Sequence, residues 1–166
     1  MDEPKTNQFR YFIAYLLDDL TVGDTFDPSA LHILILPWFA LETDEQPFID
    51  WFYKHFSKLP AFEATVAERA LFGPKKDVLV SIMEPSESFM RLHKLALSWF
   101  GAVGARWAEK DPYVGDDFIP HVAQRRGYVL KNGDTLPITS ISLIKATRRE
   151  DHVRVVAAKV IFDGSN

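Results

Sequence analysis

Apolar residues in this chain come in short runs, each cut off by proline, glycine or paired acids, and only two stretches carry a helical period. Arg10–Leu17 (RYFIAYLL) ends at Asp18-Asp19 and suits a strand buried on both faces. Leu31–Leu36 (LHILIL) reads as a second strand stopped by Pro37, which has no N–H for a ladder. Ala61–Leu71 alternates apolar and polar residues, and Gly73-Pro74-Lys75-Lys76-Asp77 turns the chain into Val78–Met83. Phe118–Gln124, Thr135–Thr147 and His152–Phe162 complete the strand-like segments.

The first helical stretch opens at Thr43-Asp44-Glu45-Gln46, with capping-box spacing and Pro47 at an early position where a missing N–H costs nothing. It presents Phe48, Phe52, Phe56 and Leu59 on one face and ends at Pro60. The second runs from Ser88 to about Val103, with Phe89, Leu92, Ala96, Trp99 and Val103 at helical spacing. Gly101 and Gly104 loosen its end. The order is β β α β β α β β β, and strands that do not alternate strictly with helices favour an α+β fold over a doubly wound parallel sheet. Each half holds one helix and one strand bearing a histidine, so the expected architecture is two pseudo-symmetric lobes. Each lobe has an antiparallel-rich sheet with a helix packed on it, and a central cleft lies between them. The whole of residues 1–166 reads as one such two-lobed domain, since 166 residues suit a single domain.

Composition narrows the chemistry. With no Cys there is no disulfide framework, zinc-thiolate site or thiol nucleophile. The polar start Met1–Gln8 does not read as a signal peptide, and no apolar run reaches the roughly 18 residues of a membrane span. A soluble cytoplasmic chain without a membrane partner is expected. The net charge of −4 argues against duplex DNA as a ligand. Residues 1–83 hold 7 basic and 13 acidic side chains, against 12 and 10 in residues 84–166. A small phosphorylated ligand at a local site is compatible with that distribution.

Two of the five histidines occupy matching contexts, Leu31-His32-Ile33-Leu34-Ile35 and Pro120-His121-Val122-Ala123-Gln124. An imidazole inside an apolar strand is costly unless its polar atoms are satisfied or used. Taken singly, each reads as a satisfied core histidine; as a pair in matching strands they read as two sides of one cleft. His93 reads as a boundary residue on the second helix, and His55 and His152 as solvated. Trp51, Trp99 and Trp107 read as core or rim, Asp116-Asp117 as a hydrated turn, and Lys75-Lys76 as hairpin charge. No phosphate-binding Gly-rich loop, nucleophile elbow or metal-ligand spacing occurs, so neither cofactor nor metal is expected.

The two histidine strands resemble the paired His-x-Thr/Ser motifs of the 2H phosphoesterases, the superfamily of the 2′-5′ RNA ligase-like proteins and cyclic phosphodiesterases. The likeness extends to Phe12–Leu17 as a first strand, Phe72-Gly73-Pro74 with Val78–Met83 as a central hairpin, and Ile119-Pro120-His121-Val122 as the second motif. It implies a metal-independent phosphodiesterase acting on a 2′,3′-cyclic phosphate or related RNA or nucleotide end, as a monomer. His32 and His121 would be acid and base in either order. The family's motif hydroxyls are replaced by Leu34 and Ala123, neither of which donates a hydrogen bond. That substitution leaves room for a catalytically degenerate chain that binds a nucleotide or RNA terminus, or for an interaction module without turnover. Arg125, which shares a strand face with His121, or Arg126, which better matches an arginine following the second family motif, is expected to hold the phosphate. Trp38 and Phe39 are expected to stack a base.

Overall fold

The computed structural model of the chain describes residues 9–27, 30–41, 44–100, 105–107, 114–123, 130–147 and 153–164. Among the described residues ten strands and two α-helices are formed: β1 (Phe9–Leu16), β2 (Thr25–Phe26), β3 (His32–Ala40), α1 (Gln46–Phe56), β4 (Phe62–Phe72), β5 (Val78–Met83), α2 (Glu87–Phe100), β6 (Arg106–Trp107), β7 (His121–Ala123), β8 (Thr135–Ile138), β9 (Ser140–Thr147) and β10 (Arg154–Ile161). The strands pair antiparallel in the order β2-β10-β9-β1-β3-β7-β5-β4-β8, with β6 added to the end of β3. The two histidine strands, β3 and β7, are neighbours at the centre. No helix among the described residues is long and apolar enough to cross a membrane.

Strand β1 is apolar on both faces because both are covered. Tyr11, Ile13 and Tyr15 enter the main core, while Phe12, Ala14 and Leu16 enter a second, smaller cluster on the opposite face. The main core joins Ile33, Ile35, Leu143 and Val122 of the sheet to Phe48, Phe52 and Phe56 of α1 and to Phe89, Leu92, Ala96 and Trp99 of α2. Phe48 stacks on Trp99 at 3.9 Å, which locks the helices together on one face of the sheet. The other face is left for the smaller cluster and the two histidines.

Several expectations change. Pro37 does not stop the second strand: β3 runs through it to Ala40, because register shifts against β1 place Pro37 where an irregular ladder needs no N–H. The same shifts turn both Ile35 and Leu36 into the core. Thr135–Thr147 is two strands, β8 on β4 and β9 on β1 and β10, so the chain crosses from one edge of the sheet to its other half. Of the expected strand Phe118–Gln124, only His121–Ala123 forms, after a 3-10 turn at Gly115–Asp117; Gln124 lies outside the described residues.

Helix α1 starts at Gln46 with Glu45 as its N-cap and no side-chain cap. Glu45 is engaged elsewhere: it accepts from the Tyr11 hydroxyl at 2.6 Å and from Lys145 Nζ at 2.9 Å, tying the helix start to β1 and β9. Thr43 of the expected capping box lies outside the described residues, as do Gly101, Val103 and Gly104 after α2. Helix α1 ends at Phe56, before Leu59 and Pro60. His93 is not a boundary residue but fully buried. Its Nδ1 donates to the Ile35 carbonyl and its Nε2 accepts from the Gly115 N–H, both at 2.8 Å, and its ring stacks on Phe118 at 4.1 Å.

Candidate functional site

Ile33 of β3 lies directly opposite Val122 of β7, and both side chains are buried in the main core. Alternation then sends the residues on either side of them to the other face. The register sets His32 across from Ala123 and Leu34 across from His121, so all four residues occupy one patch with the histidines on its diagonal. Diagonal neighbours on adjacent strands are about 7–8 Å apart, which two imidazoles can bridge through one bound group. The sequence placed these residues 89 positions apart; one strand pair brings them together.

The two imidazoles are held in the same way. His32 Nδ1 lies 3.0 Å from the Ala30 carbonyl, and His121 Nδ1 lies 2.7 Å from the Ile119 carbonyl, each two residues back along the chain, just before the strand begins. A carbonyl only accepts, so Nδ1 carries the proton in both rings and Nε2 is the nitrogen that can exchange one. Each ring also packs beside a phenylalanine. Phe12 lies 5.4 Å from His32, and Phe72 meets His121 edge-on at 4.9 Å. Burial pushes the His121 imidazole below its ordinary value of 6.5, and the bond to Ile119 acts less strongly in the opposite direction.

No family model matches the sequence, and no curated protein matches it. Solved structures do match. TT0787 of Thermus thermophilus superposes with a TM-score of 0.63 at 17% identity, covering 95% of this chain and 100% of that one. E. coli LigT complexed with phosphate gives 0.61 at 13% identity, covering 95% and 99%. E. coli LigT complexed with 3'-AMP gives 0.56 at 11%, covering 94% and 99%. The chain shares the fold of TT0787 and LigT.

Within this fold the central strand pair carries Leu34 and Ala123 on the same patch as the histidines, so two aliphatic side chains flank the diagonal. Leu34 packs against the smaller apolar cluster with Trp38, Leu20 and Phe26. Phe39 must be withdrawn as a stacking platform. It is fully buried against Tyr11, Phe48 and Phe100 on the helix side of the sheet, because it shares the core-facing side of β3 with Ile33 and Ile35 while Trp38 shares the side of His32 and Leu34. Trp38 meets Phe12 edge-on at 4.6 Å. Arg125 and Arg126 lie outside the described residues. Among the described residues no three His, Asp or Glu side chains gather as a metal site.

The sequence reasoning missed Phe12, Phe72, Arg10 and Arg154 at this face. The period of two along β1 was a usable signal for Phe12, which shares a face with Ala14 and Leu16. Nothing local marked Arg154, which reaches this face only through the pairing of β10 with β9 and of β9 with β1.

Proposed function

We propose that the chain is a metal-independent phosphodiesterase that opens a 2′,3′-cyclic phosphate at a nucleotide or RNA end. The observation that carries this reading is the matched pair of histidines, each with Nδ1 tied to the carbonyl two residues back and Nε2 as its reactive nitrogen. His121, whose imidazole burial keeps neutral, takes the proton of an attacking water on Nε2 as the new P–O bond forms. His32 is the acid in this scheme, giving an Nε2 proton to the ribose oxygen as the old P–O bond breaks. Arg125 or Arg126 holds a non-bridging oxygen in this scheme. E. coli LigT in complex with phosphate and with 3'-AMP supports a ligand of this chemistry on this fold.

Leu34 and Ala123 favour a second reading, a nucleotide or RNA-end binder without turnover, because neither motif position supplies a hydroxyl donor for charge developing on phosphorus. Hydrolysis of adenosine 2′,3′-cyclic phosphate by the wild type, His32→Ala and His121→Ala decides between them. The first reading expects turnover that falls by about 10²–10⁴ in each variant, the range typical of a lost acid or base. Turnover that survives both substitutions removes the two-histidine mechanism. No turnover alongside nucleotide binding that both substitutions weaken establishes the second reading.

A further inference from the structure

Strands β1 and β9 separate at one end of the sheet. Their pairing runs from Phe9 and Thr147 to Ala14 and Ser142 and stops there. Beyond that point β1 still pairs with β3, as far as Leu16 and His32, and β9 still pairs with β10, as far as Ser140 and Ile161. A cavity of about 260 Å³ lies at the parted ends, with Leu16, Asp18, Asp19, Ser140, Ser142 and Lys159 among its walls. Leu16 divides it from the histidine patch, since the residue across from Leu16 on β3 is His32. From β3 to β9 is two strand spacings, about 10 Å. Ser142 belongs to the histidine face, because Ile141 and Leu143 on either side of it enter the main core and Ile144 enters the smaller cluster.

The hydrogen bonding of these walls is incomplete. Ser142 is only 2% exposed, yet its hydroxyl has no hydrogen-bond partner among the described residues. A hydroxyl so buried is costly unless a ligand or water completes it. Lys159 lies across from it, and its Nζ donates to Asp19 Oδ1 at 3.1 Å and to the Leu20 carbonyl at 2.9 Å, which leaves one N–H unused. The Asp18 carboxylate has neither ion pair nor hydrogen bond among the described residues. Two carboxylates against one ammonium make the cavity unsuited to a phosphate and suited to an uncharged group that offers N–H donors. We propose that this cavity receives the nucleobase of the nucleoside whose phosphate lies between His32 and His121, and that it selects guanine. Of the four RNA bases, guanine alone sets two N–H donors side by side on one edge, which matches the two oxygens of Asp18. The carbonyl next to those donors suits the remaining N–H of Lys159, and the Ser142 hydroxyl can give or take a further bond. The inference rests on the phosphate position given under Proposed function but makes a separate demand: affinity depends on the base. Asp18-Asp19, which ends the first strand, thereby gains a use.

Calorimetric titration of the full chain with the 3′-phosphates of guanosine, adenosine, cytidine and uridine tests this without turnover. Guanosine itself tests the cavity without the phosphate. Guanosine 3′-phosphate is expected to bind about tenfold or more tightly than the other three, each of which leaves polar groups of the cavity unmatched. That ratio is expected to fall toward one in Asp18→Asn, whose amide keeps one acceptor oxygen where two are needed, and to fall in part in Ser142→Ala. Neither change disturbs the core: Asp18 is exposed beyond the end of β1, and Ser142 borders the cavity. His32→Ala is expected to weaken all four 3′-phosphates while the ratio among them stays. Equal affinity for the four, a preference for another base, or a ratio unchanged in both cavity variants overturns the assignment. Failure of every probe to bind overturns the cavity and the functional proposal together. Guanosine binding that Asp18→Asn weakens and His32→Ala leaves alone, with no turnover of guanosine 2′,3′-cyclic phosphate, upholds the cavity and overturns the hydrolytic mechanism alone. Turnover of the four cyclic phosphates at equal kcat/KM overturns the cavity and leaves the mechanism standing.

Discussion

At the scale of single residues, His93 differs from His32 and His121 in what its nitrogens face. His93 has both nitrogens satisfied inside the core, one donating and one accepting, so only its neutral Nδ1–H form fits. Burial lowers its pKa from 6.5. The unfolded chain therefore takes up a proton first as the pH falls. The stability tied to His93 is whole above about pH 6.5 and is lost as pH drops toward the folded-state value, by at most about 1.4 kcal/mol per pH unit. Urea midpoints measured from pH 8 to pH 5 are expected to decline below 6.5, with a shallower decline in His93→Asn. His93→Ala is expected to cost about 2–4 kcal/mol, since it strands the Gly115 N–H and the Ile35 carbonyl. In the proposed mechanism His121 is the base, and turnover is expected to fall on the acid side of its lowered pKa as the base is protonated. Leu34 and Ala123 carry the opposite expectation. In the double variant Leu34→Thr, Ala123→Thr, cyclic phosphate turnover is expected to rise by about tenfold or more. An oxyanion donor commonly contributes ~10²–10³, and some of that is lost to the imperfect fit of an apolar patch.

Among elements, β3 does the most to define the site. Its ladder to β1 slips twice between Leu34 and Phe39, which turns Leu36 into the core beside Ile35, while Trp38 keeps the histidine face and Phe39 the core that alternation from His32 gives them. Helix α1 is held at both ends by groups far away in sequence. Glu45 bonds Tyr11 and Lys145 at its start. At its far end the N–H groups of Asp163 and Gly164 donate to the carbonyls of Ser57 at 2.9 Å and Leu59 at 3.0 Å. A Cβ on Gly164 would overlap the Lys58 carbonyl oxygen, a backbone atom that no rotamer change can move. Gly164→Ala is therefore expected to destabilise the chain by about 1–3 kcal/mol. That corresponds to a few degrees in thermal melting for a chain of this size, with the histidine patch unaltered in nucleotide binding.

For the molecule as a whole, one continuous sheet carries both histidine strands, and a single core runs beneath it from α1 to α2. The two lobes expected from the internal echo meet at the β3–β7 pair, which is also the site. They are expected to unfold together. Tryptophan fluorescence, which samples Trp51 and Trp99 beside the helices and Trp38 on the opposite face, and far-ultraviolet dichroism should give superimposable urea transitions. Two separated transitions would show that the lobes fold independently.

The sequence alone determined the element types, the α+β class and the two histidines, because each is written in local patterns. A period of two or 3.6, a proline, or an imidazole inside an apolar run is visible within a dozen residues. It could not show that β3 passes through Pro37, that Thr135–Thr147 splits between two places in the sheet, or that His93 lies inside the core. Those outcomes depend on which strand lies alongside which, and strand pairing is a long-range choice that local pattern leaves open. The site divides the same way. The histidines were legible as a matching pair, but their diagonal placement and the arrival of Arg10 and Arg154 at Trp38 came from register, and the shared Nδ1 anchor from a local chain bend that no residue pattern marks. Tertiary structure decided them because a sheet face is assembled from strands that the sequence keeps far apart.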